Sequence, residues 1–426
     1  MSQQRRVVIT GLGVIAPNGH GLADFSQALR QGISGLRFQP RLQELKFACQ
    51  VAGVPQNIES IRGQYFAADE LLAMNSAMVF ACIAGIDAWR DAGLTLPQWD
   101  EDLLHENTGA IVGTGIGGVD TLAEKVVPMT DAGQVKRLGS TMVEQVMASS
   151  VSARFSGLFA LGNQVTTNSS ACSTGTEALI MGVQRIKDGL ADRMLVGGAE
   201  GANPYVWAGF DAMRVLNRSS NEAPQAASRP LSASAKGFIP GSGGGILVVE
   251  ELETALARGA RIYAEVLGAS INSGGMRRGG SMTAPSGYSV RRCIRSALVH
   301  AGIAAHDLDY INGHLTATGA DPMEVANWLS VLELPAEKFP LINSTKSMIG
   351  HALGAAGALE SIATVLQLHQ GFVHPSLNCQ DLHPEIQAIS ASIPQTLLEK
   401  PIHIAAKSSF GFGDVNSCVI FKKWQS

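Results

Sequence analysis

The sequence predicts an α/β protein made of two related halves. Strand-like apolar runs alternate with helix-like segments, and the order of elements in the first 250 residues is echoed from about residue 251 onward. Glycine is abundant, at 47 of 426 residues, as tight turns between strand and helix require. Hydrophobic residues make up 46% and charged residues only 16%, the balance of a chain that buries a large core rather than of a disordered or coiled-coil one. A length of 426 residues suits two halves of ordinary domain size, drawn as 1–250 and 251–426.

In the first half, "RVVIT" near the start reads as a strand, 74–93 as a helix and "GAIVG" as a strand. "QVTT" then reads as a strand running into a helix over 172–188, followed by the strands "RMLVGG" and "GILVVEE". The second half offers "RIYAEVLGA" as a strand, 288–302 as a helix, "DYINGH" as a strand, a long helix over 351–370, and the strands "IAAKSSF" and "SCVIFKK". Between these elements, "NRSSNEAPQAASRPLSASAKG" (217–237) has no apolar period and reads as a long loop of the kind that lines sites.

Several function classes are set aside by composition. A net charge of −4, with no basic run interleaved with aromatics, argues against nucleic acid as a partner. The N-terminal arginines give way to glycine and proline before a signal-peptide core forms, so a cytoplasmic protein is expected. The longest apolar candidate, "IGHALGAAGALESIATVL", carries His351 and Glu360, which argues against a membrane span. Six cysteines lie far apart with no CxxC pair; they read as free thiols, with neither a disulfide framework nor a zinc ribbon.

"GTGIGG" (113–118) has the spacing of a dinucleotide-binding turn and follows a strand-like run. The polar, turn-like "PMTDAGQVKRLGS" stands where the second strand and its acidic residue belong, so tight chain packing is the better reading. Cys172, in "SSACSTG", offers more. A buried cysteine is by default inert. Small residues on both sides, however, let the chain turn sharply from strand into helix, which places the sulfur among unpaired N–H groups that favour a thiolate and can hold an oxyanion. His314, ending "DYINGH", and His351, after "NSTKSMIG", fall at strand ends or helix starts, where α/β sheets build their sites. Lys346 lies five residues before His351. The other eight histidines, mostly in loops or on exposed helix faces, read as structural.

At these segments the chain resembles the β-ketoacyl-acyl carrier protein synthases, the elongating condensing enzymes of the thiolase superfamily. "SSACSTG" is similar to that family's nucleophile turn, "INGHLTAT" to its first histidine motif, and "NSTKSMIGHALGAAGALE" to its Lys/His/Glu motif. The likeness runs from "RVVITGLGVIAPNG" through "VGGAEGANP" and "GFIPGSGGGILVVEE" to "KSSFGFGDVN". It implies a thiolase-like fold in layered αβαβα form, and a ping-pong Claisen condensation in which Cys172 takes an acyl chain from carrier-protein phosphopantetheine. Malonyl-carrier protein then loses carbon dioxide, and the carbanion attacks the acyl group.

In the same reading His314 and His351 donate hydrogen bonds to the developing enolate. Lys346 fixes the His314 side, and Glu360 is its buried partner. Thr316 and Thr318 hold the pantetheine arm. The N–H groups of Cys172 and Phe412 form the acyl-step oxyanion hole, with Phe412 gating the acyl pocket. No metal or redox cofactor is implied.

The chain departs from the family pattern at Leu315, where glycine is usual, in a stretch to Glu324 one residue short, and at Asp414 in "GFGDVN", where the pattern reads "GFGGTN". The segment where relatives tend to carry a basic patch for the acidic carrier protein reads "FAADELLAMNSAM", with Asp69 and Glu70. Arg214, Arg277 and Arg278 are the alternative docking residues. A partner subunit could supply the rest, as in heterodimers of a ketosynthase with a chain-length factor; a homodimer is the other arrangement. These departures point to a type II polyketide or aryl polyene pathway, with general fatty-acid elongation as the alternative. A non-catalytic chain-length-factor-like subunit is a third reading, opposed by the presence of Cys172, His314, Lys346 and His351.

Overall fold

The computed structural model describes residues 5–425. Ten strands carry the fold: β1 (Val7–Ala16), β2 (Thr108–Gly113), β3 (Val165–Thr166), β4 (Arg193–Glu200), β5 (Gly243–Glu251), β6 (Ala264–Ser273), β7 (Tyr310–Asn312), β8 (Leu341–Asn343), β9 (Ile404–Gly411) and β10 (Val415–Lys423). Their order in space is β8-β7-β9-β10-β6-β1-β5-β4-β2-β3.

That order divides into two copies of one pattern. In the first half β2 is parallel to β3 and β4, β5 is antiparallel to β4, and β1 is antiparallel to β5. In the second half β7 is parallel to β8 and β9, β10 is antiparallel to β9, and β6 is antiparallel to β10. The halves meet edge to edge through a short antiparallel ladder, Val8↔Glu265 and Ile9↔Ala264.

Six helices fall in matching places: α1 (Ser76–Asp91), α2 (Ser150–Leu158) and α3 (Thr174–Lys187) in the first half, α4 (Gly287–Ala301), α5 (Asp321–Leu332) and α6 (Ala356–Gln370) in the second. Helix α1 packs on β1 and β5, and α4 on β6 and β10, forming the two outer layers. Helices α3 and α6 lie between the half-sheets and touch strands of both, which completes the αβαβα stack.

Packing explains the apolar runs. Every residue of β5 is buried, because helices cover both of its faces. Helix α6 is buried from Ala356 to Leu368, so its hydrophobicity reflects the centre of a layered protein. Among the described residues no helix is long and apolar enough to cross a membrane. Helices α3 and α6 approach backbone to backbone: a Cβ at Gly357 would lie 2.3 Å from Thr176 Oγ1, and one at Gly175 2.6 Å from the Ala358 nitrogen. Only glycine allows that approach.

Some expectations needed correction. The helix expected over 351–370 begins at Ala356, preceded by a 3-10 turn at Leu353–Ala355, because Gly350 and Leu353 take positive φ of 73° and 48°. His351 therefore stands in a turn ahead of the helix. "VPMTD" (Val127–Asp131) is a helical turn rather than an open one. The short α2, α5 and β8 were not expected; each has a weak period but is held by tertiary packing.

Candidate active site

Cys172 lies in a 3-10 turn, Ala171–Ser173, that runs directly into α3. The turn is tied down from within and from the other half. Thr174 Oγ1 accepts from the Ser170 nitrogen at 2.8 Å and donates to the Ala171 carbonyl at 2.7 Å. Ser173 Oγ donates to the carbonyls of Ser409 and Val415, each at 3.2 Å. Ala171 takes a positive φ of 49°, strain of the kind that persists where surrounding contacts hold it. A Cβ at Gly411 would lie 3.2 Å from the Cys172 nitrogen, so glycine there lets the next residue, Phe412, direct its N–H at the sulfur.

His351 reaches the sulfur from the second half, with Nε2 3.1 Å from Cys172 Sγ. Its main chain is clamped by "GFIPGSGG": the His351 nitrogen donates to the Ile239 carbonyl at 2.7 Å, and its carbonyl accepts from the Gly241 nitrogen at 2.8 Å. Phe238 packs edge-on against the ring, centroids 5.1 Å apart. The Leu353 N–H donates to Nδ1 at 3.1 Å. In the neutral ring Nδ1 is thus the acceptor, and the proton sits on Nε2, facing the sulfur.

His314 follows β7, its ring 5.5 Å from that of His351 and nearly perpendicular to it. Glu324 accepts from the main-chain nitrogens of His314 at 2.7 Å and Leu315 at 2.8 Å. Those bonds hold Leu315 at a positive φ of 22°, the position where the related motif carries glycine. Asp321 in turn accepts from the nitrogens of Thr316, Ala317 and Leu231. Thr316 and Thr318 face each other, Oγ1 to Oγ1 at 3.0 Å.

One ligand atom from each of Cys172, His314 and His351 lies within 4.8 Å of the others. Such spacing can suit a metal, but Nε2 of His351 carries a proton and acts as a donor, so this tautomer gives it no lone pair to offer. The three residues line a cavity of about 500 Å3 together with Thr316, Thr318, Phe412 and Phe238.

Beneath the histidines lies a buried charge cluster. Glu360 pairs with Lys346 at 2.5 Å and with Lys407 at 2.9 Å, all three side chains at most 1% exposed. Lys346 also donates to the His314 carbonyl at 2.7 Å, so it supports that histidine through its main chain and not its ring. Lys407 was missed in the sequence. Its signal was a charged lysine inside the strand "IAAKSSF", which can be buried only with a partner. His374, one of the histidines read as structural, is fully buried and bonded to Asn343.

Burial and the two lysines set the protonation states. Burial first, then Lys346, holds both His314 and His351 well below the usual imidazole range, so both are neutral donors at physiological pH. The expected thiolate-favouring turn is overruled by burial, which pushes the Cys172 thiol up to about 11 against the opposing pull of Lys346 and the Phe412 N–H. Iodoacetamide alkylation of Cys172 is therefore expected to climb about ten-fold per pH unit between roughly pH 7 and 9. Intact mass against time measures it, and a plateau reached by neutral pH would show a preformed thiolate instead.

In the glycine turn at 113–118 the protein itself takes up the main-chain donors. Glu200, fully buried, accepts from the nitrogens of Gly115, Ile116 and Gly354 at 2.9, 3.1 and 2.8 Å, using the N–H groups that a phosphate would need. Of the docking residues, Arg214, Arg277 and Arg278 are all exposed. Arg214 lies between the cavity-lining Met213 and Val215, and Arg277 and Arg278 share a loop with Thr283, Ala284 and Pro285 of the cavity wall. All six cysteines are free and buried.

Fold and site together define an acyltransferase of the thiolase-like class. Residues 4–255 match the N-terminal domain and residues 263–380 the C-terminal domain of β-ketoacyl synthases, and the chain belongs to that family. It is 34% identical over 420 residues to 3-oxoacyl-[acyl-carrier-protein] synthase 1 of Haemophilus influenzae, covering 99% of each chain. It is also 34% identical to the synthase 1 of Escherichia coli K12, covering 98% of this chain and 99% of that one. Among solved structures, the ishigamide ketosynthase/chain length factor superposes with a TM-score of 0.89 at 31% identity, over 99% of this chain and 100% of that one. A type II polyketide ketosynthase bound to the hexaketide, from the AntDE:AntF complex with its acyl-carrier protein, gives 0.88 at 30% identity over the same shares.

Proposed function

We propose that the protein is an active β-ketoacyl-acyl carrier protein synthase. The observation that carries this reading is the convergence of one thiol and two neutral imidazole donors at the end of a substrate-sized cavity. The Cys172 sulfur attacks the acyl thioester, and the tetrahedral oxyanion is held by the N–H groups of Cys172 and Phe412. The pantetheine thiolate leaves and takes up the proton given by the cysteine. His351 does not remove that proton, since its Nε2 already carries one; it stabilises charge on sulfur as the charge forms.

Malonyl thioester then enters along Thr316 and Thr318 and loses carbon dioxide. The electron pair of the broken carbon–carbon bond becomes an enolate whose oxygen accepts from His314 and His351. The enolate carbon attacks the acyl-enzyme, the same two N–H groups hold the second oxyanion, and the Cys172 thiolate departs and takes a proton from solvent. Decarboxylation supplies the driving force, so the cycle needs no metal or redox cofactor.

The acidic carrier protein docks on Arg214, Arg277 and Arg278, in place of the segment where Asp69 lies exposed and Glu70 half-buried. A type II polyketide or aryl polyene pathway, with a chain-length-factor-like partner subunit, is favoured over general fatty-acid elongation by the polyketide ketosynthases among the structural relatives. The test is incubation with acyl-carrier protein followed by peptide mapping. An acyl adduct on the peptide containing Cys172, discharged by malonyl-carrier protein, is expected; no adduct, or one on another cysteine, would overturn the reading.

A further inference from the structure

Residues 274–286 form a long loop between β6 and α4, and its Thr283, Ala284 and Pro285 wall the cavity that Phe412 also lines. The loop makes short turns of its own, with the Gly280 nitrogen donating to the Arg277 carbonyl at 3.0 Å and the Ser281 nitrogen to the Ala284 carbonyl at 2.8 Å, but these do not join it to the Phe412 turn. That join is made by Asp414, two residues after Phe412, which is fully buried and takes a positive φ of 58°.

Asp414 Oδ2 accepts from the Met276 nitrogen at 3.1 Å, and Oδ1 accepts from the Ser286 nitrogen and from Ser289 Oγ, both at 2.9 Å. Main-chain bonds reinforce the join: the Gly274 nitrogen donates to the Asp414 carbonyl at 3.0 Å, and the Gly413 nitrogen to the Met282 carbonyl at 2.7 Å. The carboxylate occupies the space that side chains would need at Gly274 and Gly280, where a Cβ would lie 2.0 and 2.4 Å from Oδ2. Among the described residues no lysine or arginine pairs with it; its charge is met by these donors. A buried carboxylate persists only when so satisfied.

We infer that Asp414 is a positioning residue that clips the 274–286 loop to the Phe412 turn, fixes the distance between those two walls, and so sets which acyl chains the cavity admits. The inference deepens the ketosynthase reading and rests on it for the substrate. Removing the carboxylate leaves the Met276 and Ser286 N–H groups without this acceptor and frees both walls, while Ser289 Oγ keeps the Ser286 carbonyl and Cys172, His314 and His351 are not contacted.

The experiment compares wild type with Asp414→Gly and, should that variant fold poorly, Asp414→Asn, which keeps the size but turns an N–H toward donors. Two readouts are taken: kcat/KM for acyl-carrier proteins bearing a four-carbon and a twelve-carbon chain, and Cys172 labelling by N-alkylmaleimides of increasing length. The long-to-short ratio is expected to change by about five-fold or more in both readouts, while labelling by iodoacetamide stays within about two-fold. Ratios equal to wild type in a folded variant would overturn the inference. So would a uniform fall in every rate, iodoacetamide included, with a lowered melting temperature, as a mere scaffold residue would give. If the wild type takes no acyl group, the functional reading falls, whereas the maleimide series still reads the clip.

Discussion

Replacing Glu360 by glutamine is expected to lower stability by about 3–5 kcal/mol, the usual loss when one member of a buried ion cluster is neutralised. Among the described residues the carboxylate is the single anion in direct contact with both Lys346 and Lys407, and none of the three side chains reaches solvent. Glutamine keeps the volume and one acceptor oxygen, so the loss isolates charge from packing. Two ammonium groups are then left buried without their counterion. Lys407 is the weaker point, because burial already pulls its pKa down. The double variant Glu360→Gln with Lys407→Met should therefore regain part of the loss, since a long apolar side chain replaces an uncompensated charge. Urea denaturation at one pH checks both. A single-variant loss below about 1 kcal/mol, or a double variant no better than the single, would mean that the two lysines are not both held charged by this carboxylate.

Much of this architecture was legible because its signals are local. Apolar runs such as "GILVVEE" are continuous where a strand is covered on both faces, and that alone placed β5 and its neighbours. The recurrence of strands and helices likewise anticipated the two matching half-sheets. What escaped was set by contacts between distant segments. The positive φ of Leu353, which delays α6, is invisible in "GHALGAAG", whose alanines and leucine all favour helix. Glu200 fills the glycine turn across 85 residues of chain, so the turn could be doubted from its flanks but not explained. Lys407 is close to Glu360 only after β9 packs beside α6. The thiol was misjudged for the same reason: the helix start is written in "SSACSTG", whereas the burial that outweighs it comes from the walls of both halves.

His351→Ala is expected to separate the two half-reactions, keeping acylation within about ten-fold of wild type while lowering condensation by about 10²–10³-fold, the range for loss of one oxyanion donor. The asymmetry follows from where each step puts negative charge. During acylation the charge forms on the acyl oxygen, which the N–H groups of Cys172 and Phe412 serve, and the Nε2–H of His351 adds only support to the sulfur 3.1 Å away. In the proposed cycle the charge of decarboxylation forms on the malonyl thioester oxygen, with His314 and His351 as its two donors. Because the Leu353 N–H holds Nδ1 as an acceptor, His351 arrives with its proton already on Nε2 and pays no reorganisation cost when the enolate forms. Asparagine, which can place an amide N–H near the same point, should recover part of the rate where alanine does not. Single-turnover mass spectrometry of the acyl-enzyme, followed by carbon dioxide release on adding malonyl-carrier protein, measures the two steps apart; Cys172→Ala is the limiting control, with no acyl-enzyme formed. Both imidazoles sit well below their ordinary range, so condensation from preformed acyl-enzyme should stay level from neutral pH into mild acid and fall only when they protonate. A wild-type condensation rate in His351→Ala, or a fall centred at an ordinary imidazole pKa, would show that donation by a neutral ring is not what drives the step.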